Sequence, residues 1–326
     1  MARPFIKWAG GKRQLLPRLR ERMPESHGRY IEPFIGGGAL LLDLEPAHAT
    51  ICDANPELAN AWLCVRDHAD ELKEALREHE RANSEEHYLE VRSLDRERQA
   101  KDKDGKTIKK PDGEPVMEIP LETMGDVERA ARFIYLIKAG FNGIWRVNAK
   151  GQNNVPYGEP KSQRDKKGYT PKRLDLVSAI APVHEYLAGN DIEILCGDYS
   201  TATARAEAGD LVYLDPPYVP AAPTASFTAY TKGGFGLDQQ ERLRDEALRL
   251  AAEGVSVMLS NSDTKIVRDL YSDPTFHIWP VTARRAINSK ADKRGKVGEV
   301  IITTYDPPAP PDDDDQPQGD GKGKGK

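Results

Sequence analysis

The sequence runs to 326 residues, with 47 Lys+Arg against 52 Asp+Glu for a formal net charge of −5, and 38% of it is hydrophobic. At about 100–200 residues per domain, this is one large domain or a core domain with an insert. No run reaches the ~18 apolar residues of a membrane helix, the start MARPFIKWAGGK has no apolar signal core, and Cys52, Cys64 and Cys196 lie far apart without CxxC spacing. The expectation is a reduced, soluble, cytoplasmic protein with no membrane partner, no disulfide scaffold and no metal.

In chain order, the first segment is basic: Met1–Arg22 carries Arg3, Lys7, Lys12, Arg13, Arg18, Arg20 and Arg22 against Glu21 alone. Within it, Phe5–Lys12 (FIKWAGGK) looks like a P-loop fragment, but the G-x-x-x-x-G-K-[ST] spacing is not met, which disfavours an NTPase. The Gly-Gly turn with Lys12 can still clamp a carboxylate or phosphate, and Trp8 offers either a stacking face or core packing. Tyr30–Phe34 reads as a strand running into Gly36, Gly37 and Gly38 and then an apolar helical pattern. Glycines allow a tight turn and close approach to a ligand, and a helix start offers free N–H groups. Asp53 follows the next strand, Thr50–Cys52, where an acid can grip ribose hydroxyls. The pair points to an adenosine-containing cofactor without saying which. The absence of G-x-G-x-x-G weakens a dinucleotide, and with it an NAD-dependent oxidoreductase.

Glu57–Tyr88 and Asp126–Ile137 read as a helical block. Between them Arg96–Glu118 is charged, with DKDG and KPDGE turns, and reads as a long loop or hairpin insert. Phe141–Gly158 (FNGIWRVNAKGQNNVPYG) interleaves Arg146, Lys150 and asparagines with Phe141, Trp145 and Tyr157, as a base-reading hairpin or a plain polar one would. It opens a second basic segment, Phe141–Arg173, with eight basic residues against two acids. Ile192–Cys196, Leu211–Leu214, Val255–Leu259 and Val300–Thr304 read as strands, and Leu237–Ala252 as a helix with Leu243, Ala247, Leu250 and Ala251 on one face. Such alternation argues for a mostly parallel sheet covered on both faces. Ala283–Lys296 is a third basic segment; the three make one phosphate-facing surface or three solvated faces. After Tyr305, a Pro-rich, acidic and then Gly-Lys stretch reads as a disordered tail.

The sharpest motif is Asp210–Tyr218, DLVYLDPPY. A buried strand ends in two prolines, which fix φ and donate nothing. The Asp215 carboxylate and the Pro216 carbonyl become two neighbouring acceptors beside the Tyr218 ring, a site for a flat ring bearing an NH₂ group.

Together and in this order, Phe5–Lys12, Glu32–Gly38, Asp67–Pro160 and Asp215–Tyr218 resemble the DNA adenine-N6 methyltransferases of the Dam type (class alpha, S-adenosylmethionine-dependent). That family's order is FxKWxGGK, EPFxGxG, a target-recognition region and DPPY. Phe227–Gln240, Leu259–Thr264 and Arg284–Tyr305 add matches, so the resemblance covers nearly all of Arg3–Tyr305. Arg96–Glu118 departs from it as an insert, and Ser226 stands where the family usually has Asn before Phe227.

The resemblance implies a Rossmann-like α/β fold, a mixed seven-stranded sheet with an inserted, mostly helical target-recognition domain. Residues 1–64 and 165–306 would form the catalytic domain, 65–164 the recognition domain with insert 96–118, and 307–326 the tail. It implies that Trp8, Lys12, Glu32, Phe34, Gly36, Asp53, Asp198, Tyr199 and Asp215 hold S-adenosylmethionine. Asp53 would take the ribose, Asp198 the adenine amino group, and Tyr199 or Phe34 would flank the ring. Asp215, Pro216, Pro217 and Tyr218 would hold the target adenine. Lys7, Asn142, Ile144, Arg146 and Pro156 would contact double-stranded DNA at 5′-GATC-3′ or a site beginning GAT. The implied enzyme acts as a monomer, with a companion restriction endonuclease as a possible partner.

The chemistry fits those residues. The N6 lone pair is delocalised, and hydrogen bonds to Asp215 and the Pro216 carbonyl would free it toward a methyl sulfonium, with the adenine flipped onto Tyr218. C5-cytosine methylation needs a cysteine usually preceded by proline, whereas these cysteines follow Ile51, Leu63 and Leu195. N4-cytosine enzymes more often carry Ser in place of Asp215. RNA or protein methylation, and a silent DNA binder, stand as rival readings.

Overall fold

The structure is a computed structural model, which describes residues 2–102, 105–165, 168–220, 235–284 and 296–308. A short helix α1 (Leu16–Arg20) leads to strand β1 (Tyr30–Glu32), helix α2 (Leu41–Leu44) and β2 (His48–Asp53). Helices α3 (Pro56–Asp67), α4 (Ala69–Ala82) and α5 (Glu85–Ser93), strands β3 (Arg98–Gln99) and β4 (Met117–Glu118) and helix α6 (Asp126–Ala139) follow. After α7 (Lys161–Arg164), the order is α8 (Ile180–Ala188), β5 (Asp191–Cys196), α9 (Tyr199–Thr203), β6 (Leu211–Leu214) and α10 (Leu237–Ala252). Then come β7 (Ser256–Ser262), α11 (Lys265–Leu270), β8 (His277–Arg284) and β9 (Lys296–Thr303).

One seven-stranded sheet has the order β5-β2-β1-β6-β7-β9-β8. Every described pairing from β5 to β7 is parallel, and β9 runs antiparallel to both neighbours. This is the Rossmann-like mixed sheet that the sequence implies. All residues of β1 and β6 are buried, as central parallel strands covered on both faces must be. Strand order reverses between β1 and β6, so the crevice at their carboxyl ends is the natural ligand site. Asn55 opens α3 abruptly after β2, its side chain accepting from Glu57 N and Leu58 N with Pro56 beside it.

The helical block is present as α3–α6, and α6 is buried almost all round, from Ala130 to Ile137. The 96–118 segment is a hairpin rather than an open loop. Ala100 N donates to Val116 O, Val116 N to Ile108 O, and Ile108 N to Ala100 O, a ring of backbone bonds with two turns projecting from it. Gly105 (φ +78°) and Gly113 (φ +89°) make those turns, where the sequence places them. On α10 the buried stripe is Gln240, Leu243, Ala247 and Leu250; Ala251 is half-exposed, and a polar residue takes part instead. Most of the third basic segment, Ser226, and the tail from 309 on lie outside the described residues. Among the described residues no helix is long and apolar enough to cross a membrane, and no cluster of His, Cys, Asp and Glu could hold a metal.

Candidate active site

The sheet's carboxyl end carries the candidate site. Past β1 the chain turns through Gly36 (φ +49°) and Gly38 (φ +65°). Ile35 N donates to Cys52 O, Gly36 N to Asp53 Oδ2 (3.1 Å), and Gly38 N to Ile35 O. The N–H groups of Gly36 and Gly38 are thus occupied within the turn, and the helix behind them, α2, is only four residues long. Two of the glycines also make room for indole rings. A Cβ on Gly36 would lie 2.7 Å from Trp8, and one on Gly38 would lie 2.6 Å from Trp62, whose Nε1 donates to Gly36 O. Of the two roles open to Trp8, it takes packing here, against this turn and against Phe133 at 6.0 Å.

Asp53 ends β2. Its Oδ1 accepts from Asn55 N (2.9 Å), and burial pushes its carboxyl up to about 6 against the pull of that N–H and of Gly36 N. Asp198 follows β5, exposed, and caps α9 through Ser200 N (3.1 Å) and Ser200 Oγ (2.8 Å). Phe34 stacks on Tyr199 at 5.7 Å between centroids, and Phe235 meets Phe34 edge-on at 5.8 Å. Two carboxylates and an aromatic group thus share neighbouring strand tips.

Asp215 ends β6. Lys12 Nζ lies 2.8 Å from its Oδ1, 4.5 Å from the centre of the Tyr218 ring, and 2.6 Å from Gly10 O. Lys12 therefore sits at the Asp-Pro-Pro-Tyr tip in this structure. Burial raises the Asp215 carboxyl above its ordinary range, with Lys12 opposing the shift. Glu32 is 3% exposed, receives the Tyr30 hydroxyl at 2.8 Å, and is pushed up to about 8, mainly by burial. Tyr218 donates to Glu299 Oε2 at 3.3 Å.

Behind the tip is a brace of Gln240, Asn261 and Ser262, which lie in the matched segments Phe227–Gln240 and Leu259–Thr264 but to which sequence reasoning gave no role. Gln240 Nε2 donates to Pro217 O (2.8 Å), and Asn261 Nδ2 donates to Gln240 Oε1 (3.1 Å). Asn261 Oδ1 accepts from Val219 N (3.1 Å), and Ser262 Oγ donates to Val219 O (2.5 Å). Gln240, Asn261 and Ser262 are each 0% exposed. The available signal was a glutamine heading the apolar stripe of α10 and an asparagine inside the buried strand β7.

The model of the family described as D12 class N6 adenine-specific DNA methyltransferase matches residues 8–287. The chain belongs to that family. It is 44% identical over 93% of its length to a type II methyltransferase from Lactococcus lactis subsp. cremoris, covering 95% of that protein. It is 36% identical over 93% of its length to one from Methanocaldococcus jannaschii, covering 99% of it. It is 32% identical over 94% of its length to a DNA adenine methylase from Escherichia coli, covering 96% of it.

In this D12 class methyltransferase, the 141–158 segment is a hairpin, bridged at Gly140–Tyr157 and Val147–Asn153. Asn142 (φ +58°) opens it and receives Lys7 Nζ on its carbonyl at 2.9 Å, which joins the first two basic segments. Asn142, Arg146 and Pro156 are exposed, and Ile144 is half-exposed. Arg146 Nε donates to Asn154 Oδ1 at 2.6 Å, and Asn154 N donates back to Arg146 O. The structure thus brings Lys7 and Asn142 together, and Lys12 with Asp215 and Tyr218.

Proposed function

We propose that this DNA adenine methyltransferase moves a methyl group from S-adenosylmethionine to N6 of an adenine flipped out of duplex DNA, within 5′-GATC-3′ or a site beginning GAT. The observation that carries this is the half-buried Asp215 at the β6 tip, paired with Lys12 and followed by a Pro217–Val219 turn that a fully buried amide brace holds at the sheet's switch point. The name of the Escherichia coli relative supports adenine, and the Arg146 hairpin supports a short duplex site.

The residues at the tips of β1, β2 and β5 suit the cofactor: carboxylates for hydroxyl and amino groups, aromatic rings for a purine. Asp53 would accept from the ribose hydroxyls through lone pairs left over from Gly36 N and Asn55 N. Asp198 would accept from the adenine amino group, with Phe34 and Tyr199 at its ring. Trp8, Gly36 and Glu32 would shape the pocket, and Lys12 and Asp215 would close it. The bound cofactor supplies a methyl group on a cationic sulfur. Asp215 and the Pro216 carbonyl would accept hydrogen bonds from the two N6–H groups and localise the lone pair; as the N–C bond forms and the C–S bond breaks, the nitrogen sheds one proton. Pro217, through Gln240, fixes the turn that presents them, and Tyr218 stacks on the extruded base. No covalent enzyme intermediate is needed. Lys7, Asn142, Ile144, Arg146 and Pro156 read or hold the duplex.

In this reading, residues 1–64 and 165–306 are the catalytic domain and 65–164 the recognition domain. The enzyme works in the cytoplasm as a monomer, since one set of residues handles one adenine. The type II names of two relatives support a companion restriction endonuclease. The test is transfer of labelled methyl to a duplex with one GATC and to the same duplex scrambled there. Label on N6-adenine of the first alone is the expected result. Equal label on both removes the specificity assignment, and label on neither removes duplex DNA as substrate in favour of RNA or protein.

A further inference from the structure

Beneath the hairpin lies a buried charged cluster that no motif marks. Asp95, just past α5, has a side chain 7% exposed and lies between two guanidinium groups. Arg132 of α6 reaches its Oδ2 at 3.0 Å and is itself 1% exposed; Arg96 reaches its Oδ1 at 2.5 Å. Arg132 also donates to Val91 O and Arg92 O, so it locks α6 to the end of α5. The remaining bonds leave the helices. Asn153 N donates to Asp95 Oδ2 at 2.7 Å, and Arg96 Nη2 donates to Asn153 O at 2.6 Å. Both backbone groups of one hairpin residue are thus held by this cluster. Arg92 and Tyr88 hold Val155 O in the same way, at 2.8 and 3.0 Å.

Strand alternation then transmits that hold. Asn153 and Val155 point inward and are 0% exposed, so Asn154 and Pro156 face outward. Asn154 carries the Arg146 side chain at 2.6 Å. We propose that Asp95 is a positioning residue for sequence recognition: through the backbone of Asn153 it sets the register and height of the strand that presents Arg146. The inference rests on reading the 141–158 hairpin as the base-reading element. An aspartate suits the task because one carboxylate can pair with two cations, one on each oxygen, and still accept a backbone N–H. A slack hairpin would place Arg146 wrongly for every base, lowering discrimination before it lowers the chemistry.

The experiment uses the full chain in two variants. Asp95→Ala removes the carboxylate. Asp95→Leu with Arg132→Met also removes the cation it would strand, keeping a folded comparison within reach. Each is assayed for S-adenosylmethionine binding and for kcat/KM on the GATC duplex and on duplexes with one of those base pairs changed. The expected result is unchanged cofactor affinity with discrimination reduced by about tenfold or more, the scale of a displaced base contact. In an Arg146→Ala background, the same changes should cost no further discrimination, because they act through that arginine. Undiminished discrimination, or an equal further loss without Arg146, would overturn the assignment. So would loss of cofactor binding in both variants, which would make Asp95 a support of the whole fold. Wild-type protein that methylates every duplex equally removes the hairpin reading itself, and the inference with it.

Discussion

Two loops of this molecule are held from behind by buried polar groups, and by different chemistry. Behind the Asp215–Tyr218 tip the groups are neutral amides and a hydroxyl: Gln240, Asn261 and Ser262. Behind the 141–158 hairpin they are ions, Asp95 between Arg132 and Arg96. The tip leaves a strand paired on both sides, so the sheet already sets its direction and neutral bonds suffice to finish it. The hairpin leaves a helix end and has only isolated bridges of its own. There, charge-assisted bonds do what neighbouring strands do for the tip. Neutral braces lose less when one member goes, an unpaired amide or carbonyl rather than an unpaired charge. Ionic braces are stiffer but leave a bare buried charge behind.

That contrast orders the expected effects. Arg132→Met should be the most damaging to stability, by up to about 3–5 kcal/mol, because it leaves the buried Asp95 with the more exposed Arg96 as its one remaining cation and takes the Arg132 donor from Val91 O and Arg92 O. Denaturant unfolding measures it, and adding Asp95→Leu should recover most of the loss; no recovery would mean the pair is not the source. Asp215→Ala should lower methyl transfer by about 100-fold or more, the scale of one lost polar contact to a transition state, with duplex binding retained. Normal turnover would remove Asp215 from the chemistry. Gln240→Leu should cost about 1–3 kcal/mol through the unpaired Pro217 carbonyl and Asn261 amide, and should lower kcat with cofactor affinity unchanged. A fall in cofactor affinity instead would place the brace's influence elsewhere. Smallest is a pH effect at Asp53. Its carboxyl is pushed up to about 6, and in the proposed role only the ionised form would accept from both ribose hydroxyls. Affinity for S-adenosylmethionine should therefore weaken as pH falls below about 6, and Asp53→Asn should bind more weakly above that pH and lose the dependence. Titration calorimetry across that range reads both, and an identical dependence in the variant would assign it to another group.

Much of this was legible from local pattern. The predicted strands at Leu211–Leu214 and Ile192–Cys196 and the helix at Leu237–Ala252 match the observed elements closely, because unbroken apolar runs and a clean helical stripe admit one reading. Asp53, Asp198 and Asp215 were visible because each ends a strand, where open α/β sheets gather their ligands. The glycine turn was visible too, but not the two indoles packed against it. Glycine in a turn signals close approach without naming what approaches, and here Trp8 and Trp62 fill the space. Gln240 was noted as the end of a matched segment, but its role was not, because a single polar residue in an amphipathic helix has no local signature of its partner.

The sequence alone determined a mostly parallel sheet covered on both faces, the strand tips that end in carboxylates, and the Asp-Pro-Pro-Tyr turn. Each depends on periodicity or on the fixed φ of proline, and both are written in consecutive residues. Only the tertiary structure decided that Lys12 lies on Asp215, that Asn261 and Gln240 hold the turn after it, and that Asp95 grips Asn153. Those partners lie tens to hundreds of positions apart in the chain. Which distant groups meet is set by how the layers stack, and burial then requires each polar group to find the partner that stacking brings to it.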